Sequence, residues 1–414
     1  MGVIFGLILY ISIFLSVYVQ VFFLVTFFEN SKKIITRREG IKLKKYPSVT
    51  IIVPCFNEEK TVYKTVRSLL DLNYPKEKLK IFLIDDGSTD STWNAISKFL
   101  HYTNIKLFKK ENGGKYTALN LGLQNIETEF VGCLDADSFA HSESLIRIMS
   151  YFEHDDTIMA VAPSVTVYNP QNIIQNAQKA EYHMGVFMKK MLGFLGAINV
   201  TPGPLTIFRK KVFDDLGPYR HAHNTEDMEI AYRMQKNHYK IEHCNDAYVY
   251  TNTPGTMKKL YKQRLRWIYG FINNTFDYRG VLFRKKYGNF ALFTLPTGII
   301  SIFSIGYLFG IIIYNIGNFL YSQVIKFQVT GLNLENGIKH LDPFFIDTKM
   351  SFFLIIIVYS IIVFAMVFGR RMSDGKFKFS SSMFYFFPVF GILAPFWIMK
   401  AILNTIFSKI PSWR

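Results

Sequence analysis

Two pairs of aspartates stand where apolar runs of the sequence stop. Asp85 and Asp86 end such a run in IFLIDDGSTDST, residues 81–92, and Asp135 and Asp137 follow another in FVGCLDADSF. Residues i and i+2 of a strand point to one side, so Asp135 and Asp137 can present two carboxylates to Mg²⁺ or Mn²⁺. A cation held between these carboxylates and a diphosphate would neutralise leaving-group charge. The alternative for both pairs is a capped turn with its carboxylates on backbone amides.

The elements that must position these carboxylates form a repeating pattern of apolar strand, polar turn and amphipathic helix. The pattern occurs in SVTIIVPCFNEEKTVYKTVRSLLDL, KIFLIDDGSTDSTWNAISKFL and EFVGCLDADSFAHSESLIRIM. Strands that alternate with helices predict an α/β fold with a mostly parallel sheet in three layers. Such sheets bind ligands beyond the carboxyl ends of their strands. The polar residues that fall at these ends are Asn57, Glu58, Asp85, Asp86, Asp135 and Asp137.

Two common nucleotide-binding motifs do not fit these turns. The turn after the first strand reads PCFNEE, which is not the G-x-G-x-x-G of a dinucleotide site. NGGKYT resembles the end of a P-loop, but Lys109 stands where that motif needs its first glycine. The acidic strand ends therefore favour a different nucleotide chemistry.

Four apolar segments are long enough to cross a bilayer: residues 3–28, 290–320, 351–368 and 383–407. The charged stretch at 31–286 between them predicts one soluble domain. Basic residues follow the first segment and fill GRRMSDGKFKF, so the positive-inside rule predicts a cytosolic domain, a cytosolic loop at 369–381 and an outside N-terminus. We expect any gating loop at 369–381. Pro388 and Pro395 leave open a broken or re-entrant last segment.

The net charge of +17 on 414 residues raises the question of the partner. Much of the excess lies beside the apolar segments, which favours anionic membrane lipid over nucleic acid. Cys55, Cys133 and Cys244 have no C-x-x-C spacing, so the sequence predicts neither a zinc site nor a disulfide framework.

Six motifs in one order resemble the family 2 glycosyltransferases with a GT-A fold. The motifs are VPCFNEE, DDGSTD, NGGKYTALNLG, DAD, TED and QRLRW. The similar branch is membrane-embedded and processive, and it includes cellulose, chitin, hyaluronan and poly-N-acetylglucosamine synthases. The resemblance implies a transmembrane helix at 1–30, a cytosolic GT-A domain at 31–253, an interfacial helix region with QRLRW at 254–289 and a transmembrane region at 290–414.

The resemblance also implies a nucleotide-sugar site. One carboxylate of the DDGS turn would hold the uridine of a UDP-sugar, and Asp135 and Asp137 would bind Mg²⁺ or Mn²⁺ at the diphosphate. Lys115 would lie near the nucleotide, although a lysine after an N-G-G turn is also typical of a solvated position. The residues assigned to this site are Pro54, Asn57, Glu58, Asp85, Asp86, Lys115 and Asp135.

The remaining motifs imply the acceptor side. Asp227, with Glu226 beside it, matches the general base that deprotonates the acceptor hydroxyl; from the residues alone TED is a helix cap. KKLYKQRLRWIYGF by itself predicts a basic amphipathic helix at a membrane surface, and TPGPL predicts a tight loop. The acceptor residues implied by the resemblance are Gly203, Gln263, Arg266 and Trp267.

The implied function is processive, inverting transfer from a UDP-sugar into an exported β-linked polysaccharide. TED with QRLRW, in a chain of this length with four apolar segments, is most similar to bacterial poly-β-1,6-N-acetylglucosamine synthases, which implies UDP-N-acetylglucosamine as the donor. EDMEI stands where hyaluronan and Nod-factor-type chitin synthases carry E/D-D-R-H, which argues against those two classes. The expected partners are the donor, the growing polymer, membrane lipid and a small accessory membrane subunit. The alternatives are a polymer made from UDP-glucose, addition of one sugar to a lipid carrier, and a non-catalytic scaffold.

Overall fold

The computed structural model describes residues 2–34, 40–330 and 350–411. Arg37 and Arg38, part of the basic cluster after the first apolar segment, lie outside these ranges. Four helices in the described ranges are long and apolar enough to cross a membrane, at Tyr10–Lys33, Phe290–Gln328, Phe353–Asp374 and Ser381–Ile406. They correspond to the four apolar segments of the sequence.

A mixed eight-stranded sheet forms the centre of the domain between these helices. Its strands are β1 (Val49–Cys55), β2 (Leu79–Asp86), β3 (Ile105–Lys110), β4 (Phe130–Cys133), β5 (Ser138–Ala140), β6 (Ile158–Val167), β7 (Ile207–Arg209) and β8 (Lys240–Thr251), in the order β3-β2-β1-β4-β7-β6-β8-β5. The predicted parallel arrangement is confirmed for β3-β2-β1-β4 and for β6 with β8. Antiparallel β7 joins β4 to β6, and antiparallel β5 forms the edge beside β8.

Helices cover both faces of the sheet, as the three-layer pattern predicts. They are α1 (Gly2–Asn30), α2 (Val62–Leu70), α3 (Thr92–Ser97), α4 (Lys115–Gln124), α5 (Ser144–His154), α6 (Ile173–Phe194), α7 (Lys211–Leu216), α8 (Glu226–Lys236), α9 (Met257–Asp277), α10 (Leu295–Thr330), α11 (Met350–Asp374) and α12 (Ser381–Ile406). Alternate residues of β1 point to opposite faces. Ile52 joins the core with α4, α6 and α8, whereas Ile51 and Val53 join the core with α2 and α5.

The membrane helices share a core with the sheet domain through α6. Phe27 of α1 packs against Phe368 of α11 and Phe187 of α6, with ring centroids 4.7 and 5.8 Å apart. α11 crosses α6 so closely that a Cβ atom at Gly369 would lie 1.8 Å from the carbonyl oxygen of His183. The sheet domain and the apolar helices are therefore packed as one body at this crossing.

The apolar helices are longer than the sequence pattern predicts. α10 continues to Thr330, beyond the expected end at 320, and α11 continues to Asp374, so the expected loop at 369–381 is reduced to 375–380. Arg370 holds this short loop by donating to the carbonyl oxygens of Lys378 and Phe379. α12 is unbroken at its two prolines, because packing against α6 and α9 offsets the lost backbone hydrogen bonds.

Candidate active site

The two aspartates at the end of β2 have different surroundings. Asp86 accepts hydrogen bonds from the amides of Gly113 and Gly114 at 3.1 and 2.9 Å, and its Oδ1 lies 2.5 Å from Lys110 Nζ. Both carboxylate oxygens of Asp86 are thus occupied in fixing the NGG turn. Gly87 follows with φ +72°, in the left-handed region that favours glycine.

Asp85 keeps one oxygen for a ligand. The side chain is fully buried, and its Oδ1 accepts the amide of Ser88 at 3.0 Å. Its Oδ2 is buried and has no hydrogen-bond partner among the described residues. Because a buried acceptor without a donor is costly, this oxygen is ready to receive an N–H group from a bound molecule.

The turn after β1 lies against the DDGS turn. Asn57, with φ 55°, donates its amide to Ser88 Oγ at 3.0 Å, and its Oδ1 accepts the amide of Thr89 at 2.8 Å. Pro54 is the last residue but one of β1, and Glu58 directly follows Asn57. The three residues assigned to the nucleotide pocket therefore lie near Asp85, and the Asn57 side chain bonds to Thr89, directly after the DDGS turn.

Asp135 and Asp137 do not lie in a strand, which corrects the expected geometry. β4 ends at Cys133 and β5 begins at Ser138, so both aspartates belong to the turn between them. The carboxylates are nevertheless close enough to interact. Burial first, and then the negative charge of Asp135, raise the pKa of Asp137 to about 7. The two carboxylates are therefore brought together by the turn between β4 and β5, and not by the alternation of side chains along a strand.

This pair fits a divalent cation that is shared with a diphosphate. A cation would relieve the repulsion that raises the pKa of Asp137, and Mg²⁺ often takes one or two protein carboxylates with substrate phosphate oxygens. In the described ranges, no group of three or more Asp, Glu, His or Cys side chains is arranged to hold a metal ion. The protein would thus supply part of the coordination.

Lys115 connects the turn that holds Asp135 to the start of α8, where Glu226 lies. At the start of α4, its Nζ lies 2.6 Å from Asp135 Oδ1 and 3.1 Å from Glu226 Oε1. Burial alone would lower the pKa of Lys115, but Asp135 and Glu226 raise it well above its usual value. A Cβ atom at Gly203 would lie 2.7 Å from this Nζ and 2.8 Å from the Asp135 oxygens, so this glycine lies on the donor side of the cluster.

Glu226 and Asp227 are the first two residues of α8, and their pKa values shift in opposite directions. Burial and the charge of Glu226 raise the pKa of Asp227 to about 6. Burial opposes ionisation of Glu226 as well, but Lys115 outweighs it and lowers the pKa. Two neighbouring carboxylates with separated pKa values are typical of acid–base chemistry. Asp227 is ionised at neutral pH and can accept a proton.

The QRLRW motif lies on α9 beside this acidic cluster. Arg266 donates to the carbonyl oxygen of Asn224 at 2.7 Å, and its charge acts on the carboxylates at the start of α8. Gln263 Oε1 accepts from Arg264 at 3.1 Å. The Arg264 guanidinium covers one face of the half-buried Trp267 ring at 4.1 Å from its centroid.

Several residues near the site were missed by the motif analysis because they belong to no motif. Gly270 and Asn274 of α9 contact Thr225, the residue before α8. Glu181 of α6 forms an ion pair with Arg264. Tyr182 follows on α6, and burial, with the nearby charges of Glu181 and the D-x-D aspartates, raises its pKa to about 12. No sequence motif marks these positions, because each contact joins segments far apart in the chain.

Two features define a nucleotide-sugar transferase domain of the GT-A class. They are the parallel strands with acidic ends and the two carboxylates, Asp135 and Asp137, in the turn between β4 and β5. Residues 50–217 match the family model described as "Glycosyl transferase family 2". The match covers the first four of the six motifs, VPCFNEE to DAD, whereas TED and QRLRW lie beyond residue 217.

The curated relatives include poly-β-1,6-N-acetyl-D-glucosamine synthases. The chain is 30% identical to that of Staphylococcus aureus (strain COL) over 238 residues, 57% of each chain, and 31% identical to that of Staphylococcus epidermidis over 224 residues, 54% of each chain. The chain thus matches a little more than half the length of these relatives. Among solved structures, a mannosyltransferase, PcManGT from Pyrobaculum calidifontis with GDP-Man and Mn²⁺, has a TM-score of 0.62 at 15% identity over 97% of this chain and 99% of its own. This likeness extends the shared fold to the apolar helices.

Proposed function

We propose that the protein is a processive, inverting glycosyltransferase that polymerises N-acetylglucosamine from UDP-N-acetylglucosamine. The observation that carries the proposal is the cluster in which Lys115 joins Asp135, in the turn that we assign to the metal, to Glu226, which directly precedes Asp227. The printed activity of the Staphylococcus relatives supports the choice of sugar and polymer.

The donor would bind along the carboxyl ends of β1, β2 and β4. Asp85 Oδ2, a buried acceptor, would receive the N–H group of the uracil ring. Asp135 and Asp137 would hold Mg²⁺ or Mn²⁺, and the cation supplies neutralisation of charge on the departing diphosphate. The Mn²⁺ printed for PcManGT supports such a requirement. Lys115 and Arg266 bring further positive charge to this side.

The transfer step uses Asp227 as the base. An acceptor hydroxyl oxygen forms a bond to C1 of the donor sugar while its proton passes to Asp227, and the bond from C1 to the diphosphate oxygen breaks. UDP carries away the electron pair of that bond. Attack opposite the leaving group inverts the configuration at C1 and gives a β-linkage. General-base assistance of this kind is worth roughly 10² to 10⁴ in rate.

The acceptor end would lie where α9 meets α12. Trp267 has one ring face against Arg264, and we place the terminal sugar at its opposite face, with Gln263 completing the acceptor site. Gly203, which the resemblance assigns to the acceptor, lies instead against the Lys115–Asp135 ion pair. Leu260, Leu265 and Trp397 share a core at this junction, which connects the site to the apolar helices. Export between these helices would follow from this placement.

The basic residues of the sequence orient the protein in the membrane. We place the transferase domain and the loop at 375–380 in the cytosol, with the N-terminus outside and anionic lipid along the basic segments. α10 presents exposed apolar side chains, among them Ile312, Tyr314 and Phe319, to lipid or to a small accessory subunit.

A panel of radiolabelled UDP-sugars, supplied to the purified full chain in lipid bilayers with Mg²⁺ or Mn²⁺, tests this function. We expect incorporation from UDP-N-acetylglucosamine into a polymer that a β-1,6-specific N-acetylglucosaminidase digests. Incorporation from UDP-glucose instead would show that the donor sugar is glucose. A product with one sugar on an extracted lipid would show that the protein modifies a lipid carrier and does not make a polymer. Failure to release UDP from any donor would support a scaffold.

A further inference from the structure

A cleft of about 650 Å³ lies between α7, α8, the end of α9 and the segment at 220–223. Volumes of roughly 300 to 1,000 Å³ are typical of small-molecule sites. Among the described residues that line this cleft, none is assigned above to the donor, the metal, the base or the acceptor. The cleft is therefore a second candidate site, and we call it the α8 cleft.

Three cationic side chains line the α8 cleft: Arg220, Arg233 and Lys236. Arg220 and Arg233 form ion pairs with the two carboxylate oxygens of Glu229, at 3.5 and 2.8 Å. Lys236, one turn after Arg233 on the same helix, lies over the Tyr278 ring, 5.8 Å from its centroid. Arg220 and Lys236 are exposed, so an anion that enters the cleft can reach both.

The other two carboxylates among the described lining residues have partners of their own. Asp215 forms an ion pair with Lys211 at 3.2 Å, and Asp277 lies 2.9 Å from His223 Nε2. Glu229 is left to balance the two guanidinium groups, which gives this part of the cleft an excess of positive charge. Guanidinium and ammonium groups are the usual partners of phosphate oxygens.

Two buried polar atoms of residues that line the cleft have no hydrogen-bond partner among the described residues. They are Nε of Arg233, a donor, and Oδ1 of Asn274, an acceptor. Their side chains are 5% and 0% exposed. Because unpaired buried polar atoms are costly, a ligand that accepts from Arg233 and donates to Asn274 would stabilise this arrangement. A phosphate group supplies such an acceptor, and a hydroxyl group supplies the donor.

Asn274 connects the cleft to the candidate base. Its Nδ2 donates to Thr225 Oγ1 at 2.8 Å, and Thr225 directly precedes α8. Thr225 Oγ1 in turn donates at 2.9 Å to the carbonyl oxygen of Ala222, which lines the cleft. A ligand that fixes Asn274 therefore also fixes the residue before Glu226 and Asp227.

The segment before α8 is strained and therefore depends on its surroundings. Ala222, His223 and Asn224 have φ values of 45°, 55° and 62°, in the left-handed region. Non-glycine residues in this region cost free energy, and they cluster at ligand clamps and switch segments. Since Ala222 and His223 line the cleft, a ligand bound there would contact the strained segment directly.

We propose that the α8 cleft binds a phosphate ester with free hydroxyl groups, of the size of a sugar phosphate, and that the bound ester raises the rate of sugar transfer. The phosphate accepts hydrogen bonds from Arg220, Arg233 and Lys236, and a hydroxyl group donates to Asn274. Binding then holds the segment before α8, and with it Asp227, in the position that transfer needs. The activation rests on the proposed transferase function, whereas binding to the cleft can be measured without transfer.

Titration calorimetry of the full chain in lipid bilayers, with N-acetylglucosamine 6-phosphate as the probe, tests the site. Excess chelator keeps the phosphate from a metal at the Asp135 turn. We expect saturable binding that Arg220→Gln with Lys236→Gln weakens about tenfold, because charge-assisted hydrogen bonds are lost. Arg67→Gln with Lys98→Gln removes the same charges at exposed positions elsewhere and should leave the Kd unchanged. Inorganic phosphate should bind more weakly than the probe, because it lacks the sugar hydroxyl groups.

Turnover with saturating UDP-N-acetylglucosamine and Mn²⁺ tests the activation. We expect the probe to raise kcat roughly fivefold, with an unchanged Kd for UDP. The double variant at Arg220 and Lys236 should keep its kcat without the probe and lose the increase. Lys236→Gln alone, at an exposed position, should show a smaller loss of affinity, and it replaces the double variant if that protein has a lowered Tm.

The outcomes separate the site, the activation and the proposed function. Absence of saturable binding, equal binding of the probe and inorganic phosphate, or an unchanged Kd in the cleft variants would overturn the site. Binding that leaves kcat unchanged or lowers it would overturn the activation. If the unsubstituted protein transfers no sugar but binds the probe in a way that the double variant abolishes, the proposed function is wrong and the cleft is still a binding site.

Discussion

Gly270 of α9 packs against Thr225 so closely that a Cβ atom at position 270 would lie 2.3 Å from Thr225 Oγ1. Asn274, one turn further along α9, donates to the same oxygen at 2.8 Å. Thr225 directly precedes α8, whose second residue is Asp227. The helix that carries QRLRW therefore fixes the position of the candidate base.

Gly270→Ala should displace the start of α8 and lower kcat on the order of 100-fold, because small misplacements of a catalytic group cost about this much. UDP binding should persist, since Asp85 lies elsewhere. Gly310→Ala in α10, where a Cβ atom meets nothing within 4 Å, is the control for an added methyl group. Normal kcat in Gly270→Ala would show that this contact does not position Asp227.

Asp85→Asn and Asp86→Asn should have different effects. Asp85→Asn should raise the Kd for UDP about tenfold or more, with and without metal, because the ligand loses a charged acceptor. Asp86→Asn should lower the stability of the fold by about 1 to 3 kcal/mol, because the NGG turn loses its anchor. Titration calorimetry and thermal unfolding measure the two effects. Unchanged UDP affinity in Asp85→Asn would remove this residue from the nucleotide site.

Asp137→Asn should abolish the metal dependence of UDP binding. Asp137 is the cleaner of the two positions, because removing Asp135 also releases Lys115. UDP affinity measured with Mn²⁺ and with a chelator should differ in the unsubstituted protein and be equal in the variant. Sugar transfer that continues at full rate in excess chelator would argue against a metal at this turn.

The pH dependence should follow the pKa of Asp227. Its pKa is raised to about 6, and a general base works only when deprotonated, so activity is present above this pH and is lost as pH falls through it. We expect kcat/KM to fall about tenfold per pH unit below about pH 6. UDP binding measured over the same pH range is the control, because it detects titration of groups in the donor site. A flat profile between about pH 5 and pH 8 would contradict this role.

The strands and turns of the site could be predicted because apolar runs and their acidic ends are local in sequence. The choice between Asp85 and Asp86 could not, because it depends on Gly113 and Gly114, which reach Asp86 from 27 and 28 residues away. The turn that holds Asp135 and Asp137 was mistaken for a strand end, since β4 stops only two residues earlier.

Contacts between segments that are distant in sequence could not be predicted from the motifs. Gly203 lies against the Lys115–Asp135 ion pair, and Asn274 bonds to Thr225, but each pairing joins positions far apart in the chain. The lengths of α10 and α11 were also underestimated. Polar residues end the apolar pattern at 320 and 368, but both helices continue beyond these positions.

Comparison of Asp227→Asn with the unsubstituted protein tests the central claim most directly. Both would be supplied with UDP-N-acetylglucosamine and Mn²⁺ in lipid bilayers, with UDP-sugar binding and product length measured on the same samples. We predict a long polymer from the unsubstituted protein, and from Asp227→Asn the same Kd for the donor with no polymer, since an amide cannot accept the proton. Substantial polymer from Asp227→Asn, or single-sugar products from the unsubstituted protein, would contradict the account.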